Sequence, residues 1–322
     1  MEEKVTGTIY LDQNIISHLR EGQPVKEELL RVLGAIQEQG IIYVYSDVHV
    51  EECRAFANPE QYVEVLDALD AYYLQPVERL GQHREATTHM ADDLILSETD
   101  FANKSLELLN NTMVLIQYGL GWLSEVEAEE LMQELKADVE WWAEECERET
   151  LGFISASSVR EQLLGSLFSL DLEKLKREGI EQQPKTDREW NHRFGKLDKL
   201  GPEDVVEFLF SENDHQAAQQ LRSMFPKRAW PNGAYKERGA LTGLSFFLFT
   251  QGVGRDSKVK KGRQSNRRKR FQAQYRDCRH IEEAAGCDIF LSLDAGAIKL
   301  AQAAYAYAGV RTIANRIAIR PN

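Results

Sequence analysis

Residues 41–45, Ile-Ile-Tyr-Val-Tyr, place five apolar side chains in succession. A strand of that composition has no face to show to water. It must lie inside a sheet covered on both sides, the usual situation of parallel strands. A shorter β-rich run, Thr8-Ile9-Tyr10-Leu11, precedes it and ends at Asp12. Between the two, Ile15, Ile16, Leu19, Leu29, Leu30, Leu33 and Ile36 recur at helical spacing, interrupted at Gly22-Gln23-Pro24. Strand, helical crossover and strand over this length predict a βαβ unit with a parallel sheet.

A helix beginning near Asp47 carries Glu51 and Glu52. From about Pro59 to Trp230 the alternation stops, and helical patterns follow one another with almost no strand signal. Leu131, Leu135, Val139, Trp142 and Cys146 share one face of a long helix that Ser124-x-x-Glu127 would cap. Gly201-Pro202-Glu203-Asp204 marks another helix start. The C-terminal stretch returns to the opening grammar: a helix over Gln274–Ala285, a strand over Asp288–Ser292 that runs on to Asp294, a helix over Ala295–Ala308 and a last strand over Val310–Ile313. The sequence therefore predicts one discontinuous α/β domain, residues 1–58 and 233–322, with an all-helical insertion over 59–232.

Composition narrows the class. At 322 residues and 43% apolar the chain can bury a core, and with 28% charged residues it is not wholly disordered. Its most apolar stretch, Ala240–Thr250, is about half of the roughly 20 residues a membrane span needs. The opening MEEKVTGTIYLD lacks a basic segment followed by an apolar one, so no secretory signal is expected. Cys53, Cys146, Cys278 and Cys287 form no CxxC pair and no zinc spacing. The chain reads as cytoplasmic and reduced. Its net charge of -13 is uneven: eleven Lys/Arg and two acids between Arg255 and Arg279 give +9, leaving -22 on the rest. Such a run makes a local anion site on an acidic protein.

Ligand sites of open α/β sheets lie beyond the carboxyl ends of the strands. Here those ends carry acids. Asp12 closes the first strand, Asp294 follows a later one, Glu52 or Glu51 sits one turn into the helix after the second, and Asp277 precedes Asp294 on the helix feeding that strand, with Asp288 as its competitor. One aspartate after a strand is ordinarily a turn or a cap. Four carboxylates in one frame concentrate charge that calls for cations.

The pieces Ile9-Tyr10-Leu11-Asp12-Gln13-Asn14, Tyr45-Ser46-Asp47-Val48-His49-Val50-Glu51-Glu52, Asp277-Cys278-Arg279-His280-Ile281 and Asp288-Ile289-Phe290-Leu291-Ser292-Leu293-Asp294 resemble the motifs of PIN-like nucleases, in particular bacterial PIN-like families with a helical insertion. The resemblance covers about 60 N-terminal and about 50 C-terminal residues. It implies a three-layer core around a short central parallel sheet, and a divalent-metal endoribonuclease of toxin-like or phage-defence use. Asp12, Glu52, Asp277 and Asp294 would hold Mg²⁺ or Mn²⁺. Asn14 would stand close to the metal, and Ser292 would orient a ligand or a water, with Ser46 in a similar place. Metal-activated water would then leave a 5′-phosphate and a 3′-hydroxyl.

Lys258, Lys260, Lys261, Arg263, Arg267, Arg268, Lys269 and Arg270, read as a mobile loop just before Asp277, are expected to hold the phosphates of RNA, or less favourably of single-stranded DNA. Phe271 and Tyr275 are read as packing residues, with base stacking as the other role. Two rival readings stay open. Arg84 and His89 match the R-x4-H pattern of metal-independent HEPN ribonucleases, and a catalytically silent PIN-like scaffold could dock a regulatory protein partner through the helical insertion. Asp12-Gln13-Asn14 lacks the second carboxylate of a haloacid-dehalogenase-type DxD motif. The remaining histidines, His49 and His280 among them, show no ligand spacing and are expected at surface or packing positions.

Overall fold

The computed structural model describes residues 7–54, 58–74, 118, 125–168, 186–228, 230, 235, 239–254 and 264–318. Strand β1 (Gly7–Leu11) is followed by α1 (Gln13–Leu19) and α2 (Lys26–Gln37), which carry the chain to β2 (Ile41–Tyr45). Helices α3 (Asp47–Arg54) and α4 (Pro59–Ala68) lead to a two-residue strand, β3 (Tyr72–Tyr73). Then come α5 (Glu125–Glu149), α6 (Ala156–Phe168), α7 (Asp187–Leu197), α8 (Pro202–Ser211), α9 (His215–Met224), α10 (Ala240–Thr250) and α11 (Gln264–Ala284). The described chain closes with β4 (Ile289–Ser292), α12 (Ala295–Ala308) and β5 (Ile313–Arg316).

The five strands form one parallel sheet in the order β3-β2-β1-β4-β5. β1 is the centre. It pairs with β2 on one side and, across most of the sequence, with β4 on the other, so that Tyr10 lies between Val44 and Phe290. Strand alternation sends Ile9 and Leu11 to one face, where they pack with Tyr43, Tyr45 and Leu291 against Ile15, Ile16, Leu19, Leu29, Leu33 and Leu66. Tyr10 points to the other face, where its ring meets Phe290, His49 and His280. Two faces buried under helices are what the apolar run of β2 demanded.

The chain divides into two compact units, one of Met1–Leu94, Arg193–Asp256 and Ala273–Asn322, the other of Ile95–His192 and Ser257–Gln272. Part of the block read from the sequence as a helical insertion therefore belongs to the α/β unit. α8 and α10 pack on α12: the Phe210 ring meets Tyr307 edge-on at 5.8 Å, and the Tyr307 hydroxyl donates to the Phe225 carbonyl at 2.8 Å. α10 is apolar all round because it is buried all round. In the second unit α5 packs on α6, with Ala143, Cys146, Ala156 and Val159 forming one small core and Leu131, Leu135, Ala128 and Tyr118 another. Ser124, the expected cap of α5, lies outside the described residues.

Three elements differ from the sequence reading. The last strand is Ile313–Arg316, not Val310–Ile313. β3 carried no strand signal. α11 begins at Gln264, ten residues before the expected start, so the second half of the basic run is helix rather than loop.

Candidate functional site

The strand order reverses at β1 and β4, so the crevice at their carboxyl ends is the place where this topology offers a ligand site. Ser46, Asp12 and Ser292 stand in a row just past or at the ends of β2, β1 and β4. Asp12 is buried, and its backbone N–H donates to Leu291 O at 2.8 Å. Its Oδ2 accepts from Ser292 Oγ at 2.6 Å and from Asn14 Nδ2 at 2.6 Å. The second Asn14 N–H reaches Ser292 Oγ at 2.9 Å, and Asn14 Oδ1 accepts from Leu293 N at 3.0 Å. Asn14 and Ser292 thus lock one carboxylate oxygen. The other, Oδ1, has no hydrogen bond among the described residues.

Glu51 and Glu52 are sorted by α11. The Arg279 guanidinium forks onto both oxygens of Glu51, with Nη2 to Oε1 at 2.7 Å. Burial pulls the Arg279 pKa down, but Glu51 wins and holds it above its ordinary value. Glu52 turns inward: it is buried, Oε2 lies 2.9 Å from His280 Nε2, and Oε1 lies 3.5 Å from Arg276 Nε. Asp277 is half-buried one turn before His280, its Oδ2 accepting from Gln274 Nε2 at 2.9 Å. Asp294 is exposed and caps α12, its Oδ1 accepting from Gly296 N at 2.6 Å. Asp288 stands at the opposite, amino end of the strands, accepting from the backbone and hydroxyl of Thr8. It is remote from the other acids by topology.

Asp12 and Asp277 feel the neighbouring acids. Removal from water raises the Asp277 carboxyl well above its ordinary value, and the charges of Asp12, Asp294 and Glu52 add to it. Burial likewise raises Asp12, against the pull of His280 and Ser292, with Glu52 and Asp294 pushing further. Burial pulls His280 down, but Glu52 and Asp12 win and hold its imidazole above the ordinary histidine value.

The donor set consists of hard oxygens, which suit Mg²⁺ or Mn²⁺. Among the described residues no three His, Cys, Asp or Glu side chains are placed to hold one ion jointly. An ion of the Mg²⁺ type is commonly held through one or two carboxylates and keeps several waters. Asp12, whose Oδ1 has no hydrogen bond among the described residues, offers one such carboxylate.

His280 is buried, as its packing reading allows, and it also has two polar partners that the sequence reading did not connect to it, Glu52 and Tyr10. Its spacing from Asp277 puts both on one face of a helix, which is the signal that could have found it. His49 is buried too. Ser46 N donates to its Nδ1 at 3.1 Å, so its Nε2 carries the hydrogen that meets Leu11 O at 2.8 Å. Burial, with repulsion from His280, pushes the His49 pKa well below the ordinary value, consistent with a neutral ring.

Lys258, Lys260, Lys261 and Arg263 lie outside the described residues, as do Arg84 and His89. Arg267, Arg268, Lys269 and Arg270 fall in the first two turns of α11, with side chains outside the description. Phe271 is buried, and the Tyr275 ring packs edge-on against Phe246 at 5.6 Å. One close packing lies within the α/β unit, near Asp294. Gly254, the residue before the basic run, packs so closely on Gly296 that a methyl group on either would collide with the other's carbonyl oxygen. Gly296 is two residues past Asp294. Among the described residues no helix is long and apolar enough to cross a membrane. No protein-family profile, curated protein or solved structure matches the chain.

Proposed function

We propose that this chain is a PIN-like, divalent-metal-dependent endoribonuclease whose reacting centre is formed by Asp12, Glu52, Asp277 and Asp294. The observation that carries the reading is geometric: Asp12, held through one oxygen by Asn14 and Ser292, stands at the point where the strand order reverses. Bound Mg²⁺ or Mn²⁺ would supply an acidified water and charge neutralisation at the attacked phosphate. The chain's own residues do the rest. Asn14 and Ser292 fix Oδ2 of Asp12 and so aim Oδ1 into the crevice. Arg279 keeps Glu51 out of it. The basic run ends in the same helix that carries Asp277, and its cations would bind the phosphates of the RNA.

The test separates ligand from cap at Asp294. Asparagine caps a helix about as well as aspartate. Asp294→Asn should therefore melt within about 0.5 kcal/mol of the wild type, while cleavage of a mixed RNA with Mn²⁺ falls at least about tenfold, one unit of transition-state charge stabilisation. Asp294→Ala should lose activity and, in addition, about 1 kcal/mol of stability. A fully active Asp294→Asn protein would remove Asp294 from the site.

Neutralising Lys260, Lys261, Arg267, Arg268, Lys269 and Arg270 together should weaken RNA binding most at low salt. The slope of log affinity against log salt should flatten by about 0.7 for each single-strand phosphate that is no longer neutralised. A salt slope unchanged from the wild type would make the run a solvated surface.

A further inference from the structure

We infer that His280 is a positioning residue: through a buried chain of hydrogen bonds to Tyr10 and Ser46, it holds the Glu52 carboxylate in the orientation that metal binding requires. This rests on the reading of Glu52 as a metal ligand. His280 Nε2 lies 2.9 Å from Glu52 Oε2, its Nδ1 lies 2.7 Å from the Tyr10 hydroxyl, and that hydroxyl lies 2.8 Å from Ser46 Oγ. Tyr10, Ser46, His280 and Glu52 are all at least nine-tenths buried.

The chain has the same owners as the carboxylates. Tyr10 stands on β1, two residues before Asp12, which directly follows that strand. Ser46 opens the turn into α3, which carries Glu52. His280 lies one turn after Asp277 on α11. One polar chain therefore spans the three segments that deliver Asp12, Glu52 and Asp277 and fixes their spacing. His49 adds a second tie between the same parts, joining Ser46 N to Leu11 O.

A purely structural network is the competing account, since apolar groups of similar volume often replace buried polar ones without loss of stability. The two accounts differ in what a shape-preserving substitution does. Outer partners of metal ligands typically contribute about 10–100-fold in metal affinity, whereas a structural network shows itself only in the melting temperature.

The measurement is Mn²⁺ binding by calorimetry, with melting curves, on the full chain: wild type, Asp12→Asn, His280→Gln, His280→Leu and Tyr10→Phe. Glutamine keeps an N–H near the place of Nε2 and should bind Mn²⁺ within about threefold of wild type. Leucine should lose about 10–100-fold, and Tyr10→Phe, which leaves Nδ1 without its partner, an intermediate amount. High Mn²⁺ should restore cleavage by folded His280→Leu. Wild-type affinity in folded His280→Leu overturns the inference while leaving the metal site standing. Should His280→Leu not fold, wild-type affinity in Tyr10→Phe overturns it equally. If the wild type binds no more Mn²⁺ than Asp12→Asn, the metal reading itself fails and the inference falls with it.

Discussion

Replacing Asp277 by asparagine is expected to raise the melting temperature of the metal-free protein while nearly abolishing RNA cleavage. Withdrawal from water and the neighbouring acids raise this carboxyl well above its ordinary value. In the unfolded chain it titrates at about 3.9. Between the two values the folded protein holds a proton that the unfolded chain has released. Stability is therefore fully present below about pH 4 and declines as pH rises through the folded value. Asparagine carries no such proton. The variant's advantage should be absent at the acid end and grow towards neutral pH, reaching about 1 kcal/mol or more, or about 2–4 °C for a protein of this size. Mn²⁺ should raise the melting temperature of the wild type and close the gap, since an ion that binds only the folded state stabilises it. Cleavage should drop at least about a hundredfold. A variant that melts below the wild type in chelator would show that Asp277 is a structural acid rather than one held against its own charge.

Gly254→Ala should be among the most damaging single-methyl additions in the α/β unit. Gly254 sits in the left-handed region, at φ 66°, where an L-residue costs about 1–2 kcal/mol. The added methyl would also strike the Gly296 carbonyl, and backbone cannot swing aside as a flexible side chain can. Together these predict a loss of about 2–4 kcal/mol. Below the melting range, RNA cleavage should fall as well, because relief of the collision shifts Gly296 and with it the start of α12, which Asp294 caps. Gly296→Ala meets the reciprocal collision without left-handed strain and should cost less. Equal melting curves for wild type and Gly254→Ala would rule out the close packing.

The sheet was legible where burial dictates composition. β2 and β4 are interior strands, and their apolar runs announce them. β5 is an edge, with Ile313, Asn315 and Arg316 exposed, so its true span looks polar while Val310-Arg311-Thr312 looks like strand. Thr312 instead donates its hydroxyl to the Cys287 carbonyl at 2.7 Å, packing below the strand. The early start of α11 was hidden by charge: arginine and lysine are good helix formers, but a dense cluster of them reads as a loop. The acids were legible as residues and not as geometry. Only Arg279 on the facing helix decides between Glu51 and Glu52, and only the strand ladder sends Asp288 to the far end. The partners of His280 escaped because Glu52 and Tyr10 are 228 and 270 residues away.

That separation has a consequence for the living cell. Ser292 meets Asp12 across 280 residues, and ribosomes add roughly 5–20 residues each second, so about 14–56 s pass between the synthesis of the two. For most of that interval, from Glu52 until α11 is made, Asp12 and Glu52 exist without Asp277, His280 or the strand that locks Asp12. Under the proposed activity, a nascent chain beside ribosomal RNA would be unable to cut it before α11 and β4 are made, as would one that stalls or is broken off before α11. On that proposal the order of synthesis would be a safety catch, released only once α11 and β4 have been made.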